Sequence, residues 1–173
     1  VTINGVISRG STGGTASIYS NGNITQSATI GSASYAFANV YEYFDYDNSG
    51  DTITYNPSGT TYAGMYMNLL GNTNSSIHID SVNLNVSGNE ALQIGNPGPG
   101  AWGTVTIDCN ISVTQYVGVF SDGNITINVN KAITSTASNI VIYAEFDDNG
   151  SGVFTMASGS SIVSASTITI DCL

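Results

Sequence analysis

Residues 123–152 read GNITINVNKAITSTASNIVIYAEFDDNGSG, and residues 22–50 read GNITQSATIGSASYAFANVYEYFDYDNSG. Both open on Gly-Asn-Ile-Thr and cross a stretch of small residues. Both then enter an aromatic strand, with Tyr41 and Phe44 in one and Tyr143 and Phe146 in the other, and turn on acidic residues, Asn and Gly. An echo at about a hundred residues' distance implies a repeat architecture, in which each unit buries its apolar face against the next. Working outward, GTVTIDCNIS at 103–112 matches VTINGVIS at 1–8, and STITIDCL at 166–173 matches SSIHIDSV at 75–82. The chain therefore reads as a single β domain in two imperfect repeat halves, residues 1–95 and 103–173. The Gly- and Pro-rich loop at 96–102 joins them. The first and last segments are also alike, as if cut from one periodic stack.

Composition narrows the class. The 173 residues are 41% hydrophobic but only 8% charged, and Arg9 and Lys131 are the only basic residues against twelve acidic ones. Val, Ile, Thr and Tyr are plentiful and strong helix formers scarce, which favours strands joined by Gly, Asn and Ser turns. A net charge of −10 leaves no basic face to neutralise phosphates, so nucleic acid is excluded as a partner. No run approaches the roughly 18 apolar residues of a membrane span, so no membrane insertion is expected. The start at Val1 suggests a processed or excised product. That start and a surface of hydroxyls and amides together favour an extracellular setting.

Alternating strands recur near residues 3, 18, 40, 53, 79, 92, 107, 125, 142, 155 and 170. The spacing fits an all-β repeat fold. Two architectures satisfy it, a parallel β-helix or solenoid and a β-sandwich of pilin type. The recurrent Gly-Asn-Ile-Thr and Thr-Ile-Asp segments favour the solenoid, where like residues form ladders whose Asn and Thr side chains bond from layer to layer. The segment TYAGMYMNLL at 61–70 lacks a counterpart in the second half and reads as an insertion or a bulge.

Gly-Asn-Ile-Thr, the segments ending in Ile-Thr-Ile-Asp and the run GSGVFTMASGSSIVSASTITID at 150–171 resemble the repeats of filamentous-haemagglutinin-like adhesins. That resemblance implies a right-handed parallel β-helix on a bacterial surface. The echo is longer than a single coil, and the family's amino-terminal secretion domain is not seen in these residues. A looser resemblance, carried by the Thr-, Ser- and Asn-rich acidic composition and the like terminal strands, is to donor-strand extracellular pilins, and implies strand exchange between subunits.

Candidate sites are few. Asp45, Asp47, Ser49 and Asp51 present oxygen atoms at alternate positions, the spacing a hard cation such as calcium needs, although an Asx/Gly turn accounts for the same residues. His78 stands without a second His or Cys at ligand spacing and reads as a solvated sheet residue. Arg9 and Lys131 are isolated, and Asp45 with Asp47 is the one carboxylate pair, so no enzymatic activity is expected. Tyr41, Tyr43 and Tyr46 would form a sugar-stacking patch if exposed, and would pack across strands otherwise. Sequons for N-glycosylation occur at Asn23, Asn74, Asn85, Asn110, Asn124 and Asn149. Cys109 and Cys172 end similar strands on the apolar side. Buried free thiols, an intrachain disulfide and an intersubunit bridge all remain open for them.

These readings converge on a non-enzymatic extracellular structural protein, a unit of a self-assembling surface fibre or adhesin. Assembly would run through the terminal strands, represented by Val1, Ile3, Ile168, Ile170 and Leu173. The partners would be further copies end to end, with surface carbohydrate a second class. A donor-strand pilin and a carbohydrate-binding module are the alternatives.

Overall fold

The computed structural model describes residues 1–85, 91–96, 101–145 and 152–172, the side chain of Asn85 excepted. The chain winds through about six turns of a parallel β-solenoid. Its first layer holds β1 (Thr2–Ile3) and β2 (Thr15–Tyr19), its second β3 (Thr25–Gln26) and β4 (Phe37–Tyr43), and its third β5 (Thr52–Tyr55) and β6 (Thr61–Leu70). The fourth holds β7 (Ser76–Ile79), β8 (Leu84–Asn85) and β9 (Ala91–Ile94), and the fifth β10 (Thr104–Ile107), β11 (Ile111–Val113) and β12 (Val117–Ser121). The sixth holds β13 (Ile125–Ile127), β14 (Ala132–Ser135) and β15 (Ile140–Ala144), and the last β16 (Phe154–Met156), β17 (Ser161–Ser164) and β18 (Ile168–Cys172). Every pairing between these strands is parallel. The β-sandwich alternative is thereby set aside, because sandwiches of pilin type rest on antiparallel pairing.

The longest sheet runs β18-β15-β12-β9-β6-β4-β2, with β8 beside β6. We call it the long sheet. Along it Leu92, Val117, Ile140 and Ile168 are successive register partners, so steps of 25, 23 and 28 residues make single turns. Four such steps carry Val40 through Met67, Leu92 and Val117 to Ile140. The hundred-residue echo is therefore four turns of one helix, and β9 and β12, which lie on either side of residues 96–102, pair directly. Ala101 and Trp102 in that loop are core residues.

Period-two alternation builds the core. One inward column of the long sheet reads Ala16, Val40, Met67, Leu92, Val117, Ile140, Ile168; the next reads Ile18, Glu42, Leu69, Ile94, Val119, Ile142, Ile170. Each fully buried Val, Leu or Ile contributes about 1.5–3 kcal/mol relative to exposure. Trp102 fills the middle of the stack, donating its indole N–H to the Leu69 carbonyl at 3.1 Å and lying 5.9 Å from the Phe44 ring. Gly71 is required beneath it, since a Cβ there would come within 2.4 Å of the indole. The 61–70 segment does carry a bulge, as its register with β4 shifts between Phe37 and Asn39.

Corners repeat a single device. Ser20, Ser121, Ser135 and Ser164 each donate a hydroxyl to the carbonyl three residues on, at Asn23, Asn124, Ser138 and Thr167. The same oxygens accept backbone N–H groups from Gly22, Gly123, Ser138 and Ser166. Between layers, the side-chain oxygens of Asn23, Asn110, Asn124 and Asn139 accept the backbone N–H of Thr54, Ala132, Val153 and Thr167. In these four bonds the asparagines tie layers together through the next layer's backbone rather than through one another. Small uncharged residues serve here because a buried corner must satisfy its own peptide groups.

Candidate functional site

Four places carry chemistry, beginning with the last layer. Ile140 and Ile142 in β15 are fully buried, while their column partners Ile168 and Ile170 in β18 are 42% and 43% exposed. Cys172, partnered with Ala144, is exposed too, and so are Met156 and Val163. At the other end the inward residues Ile3 and Ala16 are buried. There the Arg9 guanidinium lies 5.6 Å from the centre of the Phe37 ring and donates to the Gly13 carbonyl. The two ends are thus unlike, and the likeness of VTINGVIS to STITIDCL misleads about stacking. Val1 and Ile3 belong to the β1–β3 pair, whereas Ile168 and Ile170 belong to the long sheet, where the first-layer counterpart of β18 is β2. Leu173 lies outside the described residues.

The second place is the acidic corner. Asp45 is fully buried with φ of 47°, and its carboxylate accepts the Ser49 N–H and hydroxyl on one oxygen and the Gly50 N–H and Ser75 hydroxyl on the other. Burial pushes its pKa up, but these four bonds prevail and hold it well below the usual carboxylate range. The proposed calcium ligands do not converge there. Asp45 is spent on the turn and on Ser75, Asp47 is exposed, and Ser49 binds Asp45 rather than standing beside Asp51 as a free ligand. In the sixth layer Glu145 repeats the corner with φ of 72°, accepting the Gly152 N–H at 3.4 Å. The rest of the second acidic turn, 146–151, lies outside the described residues.

Third, register brings together three groups that sequence spacing keeps apart. β7 and β10 lie side by side, so His78, Asp80 and Asp108 meet on the outer face, with His78 Nε2 2.8 Å from Asp80 Oδ1 and 3.6 Å from Asp108 Oδ2. Among the described residues this is the one group of three His, Cys, Asp or Glu side chains whose ligand atoms converge. A metal ion held there would compete with Lys131, whose Nζ is 3.4 Å from Asp108 Oδ1. Burial acts to raise the Asp108 pKa, but hydrogen bonds from Asn128 and Lys131, with the charges of Lys131 and His78, hold it below the usual range. His78 thus lies, partly exposed, against two carboxylates from neighbouring strands.

Fourth, tyrosines gather on the outer face of the long sheet. Tyr19 and Tyr43 stack at 4.5 Å and 7°, Tyr41 lies 6.1 Å from Tyr43, and Tyr46 meets Tyr19 and Tyr43 edge-on. Beside them Tyr41, Tyr43, Tyr66, Asn68, Gln93 and Asn96 line a groove of about 340 Å³. Asn68, Gln93 and Tyr66 were not singled out from sequence. Only the stacking of β4, β6 and β9 unites them, and no periodicity within one strand signals it.

Glu42 was also missed. It points inward between Ile18 and Leu69, is fully buried, and neither carboxylate oxygen has a hydrogen-bond partner. Burial pushes its pKa up to about 8. The thiol of Cys109 packs against the core, and burial pushes its pKa up to about 11, so it is a poor nucleophile. Cys109 and Cys172 are free; Cys109 lies between β10 and β11, whereas Cys172 ends β18 in the long sheet. Of the sequons, Asn23, Asn74, Asn110 and Asn124 are exposed. The side chain of Asn85 and all of Asn149 lie outside the described residues. No family model, curated protein or solved structure matches the chain.

Proposed function

We propose that this chain is a non-enzymatic structural solenoid of an extracellular fibre or adhesin, extended end to end by further copies. The observation that carries the reading is the contrast within two columns: Ile140 and Ile142 are fully buried, while Ile168 and Ile170 directly above them are 42% and 43% exposed. Solenoid ends that stay solitary are covered by polar caps, and an uncovered apolar column is a docking face. A second copy suits it, because β2 and β18 are both five-residue strands of the same sheet. Laying β2 on β18 sets Ala16 over Ile168 and Ile18 over Ile170, so both inward columns run on. β2 ends that sheet, with no strand beyond it among the described residues. Such a head-to-tail contact propagates instead of closing. The Ser-, Thr- and Asn-rich surface and the near absence of basic residues support the extracellular setting, and the repeat character supports the filamentous-haemagglutinin-like resemblance.

The test is sedimentation and electron microscopy of the native protein beside Ile168→Asp and Ile170→Asp variants. Wild type should form rods lengthening with concentration, and both variants should remain single folded units. A wild-type protein that stays single at high concentration, or variants that form rods equally well, would defeat the proposal.

A further inference from the structure

We propose that the groove across β4, β6 and β9 binds an uncharged oligosaccharide. Tyr41, Asn68 and Gln93 are register partners in three successive layers, so their side chains rise one above another on the outer face. Layers in a parallel stack lie about 4.8 Å apart, so the groove runs along the solenoid axis and suits an extended chain of linked rings. Tyr66 and Asn96 flank this column, and Gln93 donates to Asn96 Oδ1 at 3.0 Å, which fixes the orientation of both amides.

Two observations separate this groove from an ordinary surface furrow. Asn68 is only 5% exposed, yet its Nδ2 has no hydrogen-bond partner among the described residues. A buried donor left unsatisfied costs about 1–3 kcal/mol, and a ligand hydroxyl in the groove would accept its hydrogen. Next to it, Tyr43 has one ring face covered by Tyr19 at 4.5 Å, while its next-layer partner is Leu70 at the groove's wall. The groove therefore joins aromatic rings, which pack against the C–H faces of a pyranose, to amides that give and take hydrogen bonds with hydroxyls.

Charge fixes the class of sugar. Among the described residues no ionisable group other than tyrosine lines the groove, the net charge is −10, and both basic residues are engaged elsewhere, Arg9 at Phe37 and Lys131 at Asp108. A uronate or sulfated glycan would meet repulsion with no cation to offset it. An extended peptide adding as a strand is disfavoured as well, because β4, β6 and β9 are paired on both sides within the sheet. This groove lies on the side of the solenoid, so its occupancy is independent of the end-to-end assembly proposed above.

The test titrates the full chain with cellohexaose, laminarihexaose and chitohexaose, with hexagalacturonate and a proline-rich decapeptide as controls, read by calorimetry and by amide shifts in NMR. A neutral hexaose should bind and shift the Asn68 and Gln93 side-chain amides. Tyr43→Ala should weaken it by at least about tenfold, equivalent to about 1.4 kcal/mol. Asn68→Leu should weaken it several-fold while leaving the melting temperature unchanged or higher, since it removes the unpartnered donor. Gln93→Ala should also weaken binding, and an unchanged melting temperature in that variant separates loss of a groove contact from loss of fold. Failure of all three neutral sugars, equal or tighter binding of hexagalacturonate or of the peptide, or wild-type affinity in the Tyr43→Ala and Asn68→Leu variants would each overturn the inference.

Discussion

The second and sixth layers are four turns apart and share their corners, yet they differ at what those corners hold. Both use a serine corner, at Ser20 and Ser121, both reach into the next layer through asparagine, at Asn23 and Asn124, and both end the long-sheet strand on a buried acid with positive φ, at Asp45 and Glu145. The sixth layer fills its inward columns with Ile140 and Ile142, whereas the second places Glu42 where Ile142 stands. Outside, the second layer presents Tyr41 and Tyr43 beside the groove. Shared residues thus maintain the stack, and the departures gather on the layers that form the groove.

Exchanging the two inward residues tests this most severely. In the unfolded chain Glu42 ionises near the ordinary glutamate value of 4.5, while in the fold burial raises it to about 8. The raised value means that its contribution is fully present below pH 4.5 and is lost as pH rises through about 8. Glu42→Ile should therefore stabilise the protein at pH 9 by roughly 3–5 kcal/mol and flatten the decline between these values. Ile142→Glu should impose a decline of similar size on the sixth layer. Urea unfolding at pH 5, 7 and 9 measures both, and an unchanged pH profile in Glu42→Ile would show that Glu42 does not face the core. Tyr55 should respond too, since burial first and the Glu42 charge second raise its pKa.

The acidic corners differ in bonding, so their removal should differ in cost. Asp45→Ala breaks four hydrogen bonds and should cost roughly 2–3 kcal/mol, against about 1 kcal/mol or less for Glu145→Ala, whose one bond among the described residues is to Gly152. Because the folded pKa of Asp45 is depressed, its contribution is fully present above the ordinary aspartate value of 3.8 and is lost as pH falls from there through the lower folded value. Acid unfolding should therefore begin at higher pH in wild type relative to neutral stability than in Asp45→Ala, whose profile lacks this component. Equal costs at the two corners would contradict the bonding described.

The serine corners should show the smallest effects and no difference between layers. Ser20→Ala and Ser121→Ala should each cost about 1 kcal/mol in thermal or urea unfolding. A large inequality would mean that the two corners are not the same device.

Some of this was legible from residues alone. Alternation in TVTI, ITI and IVIY names the inward side correctly, since a strand's period of two is a local property. The match of Tyr41 to Tyr143 and Phe44 to Phe146, however, is displaced. Register sets Tyr43, not Tyr41, level with Tyr143 in the outward positions next to the Glu42 and Ile142 column. A slip of two residues keeps every side chain on its own face, so the hydrophobic pattern cannot detect it. Likewise, the acidic turn drew notice for its alternate oxygens, but Ser75 from the next layer takes up Asp45, and no local spacing reveals that.

The sequence by itself determined that this chain stacks. Recurrent Gly-Asn-Ile-Thr segments, period-two strands and scarce charge are readable in the residues and favour a solenoid, while the parallel pairing that removes a sandwich is seen only in the fold. Tertiary structure alone decided how many turns separate the echoes, that Glu42 faces inward without a partner among the described residues, that Tyr41, Asn68 and Gln93 form one wall, and that Ile168 and Ile170 in the last layer are exposed while Ala16 in the first is buried. The physical reason is the parallel wind: residues that touch are separated by 23 to 28 positions, and the length of each intervening corner sets which ones meet.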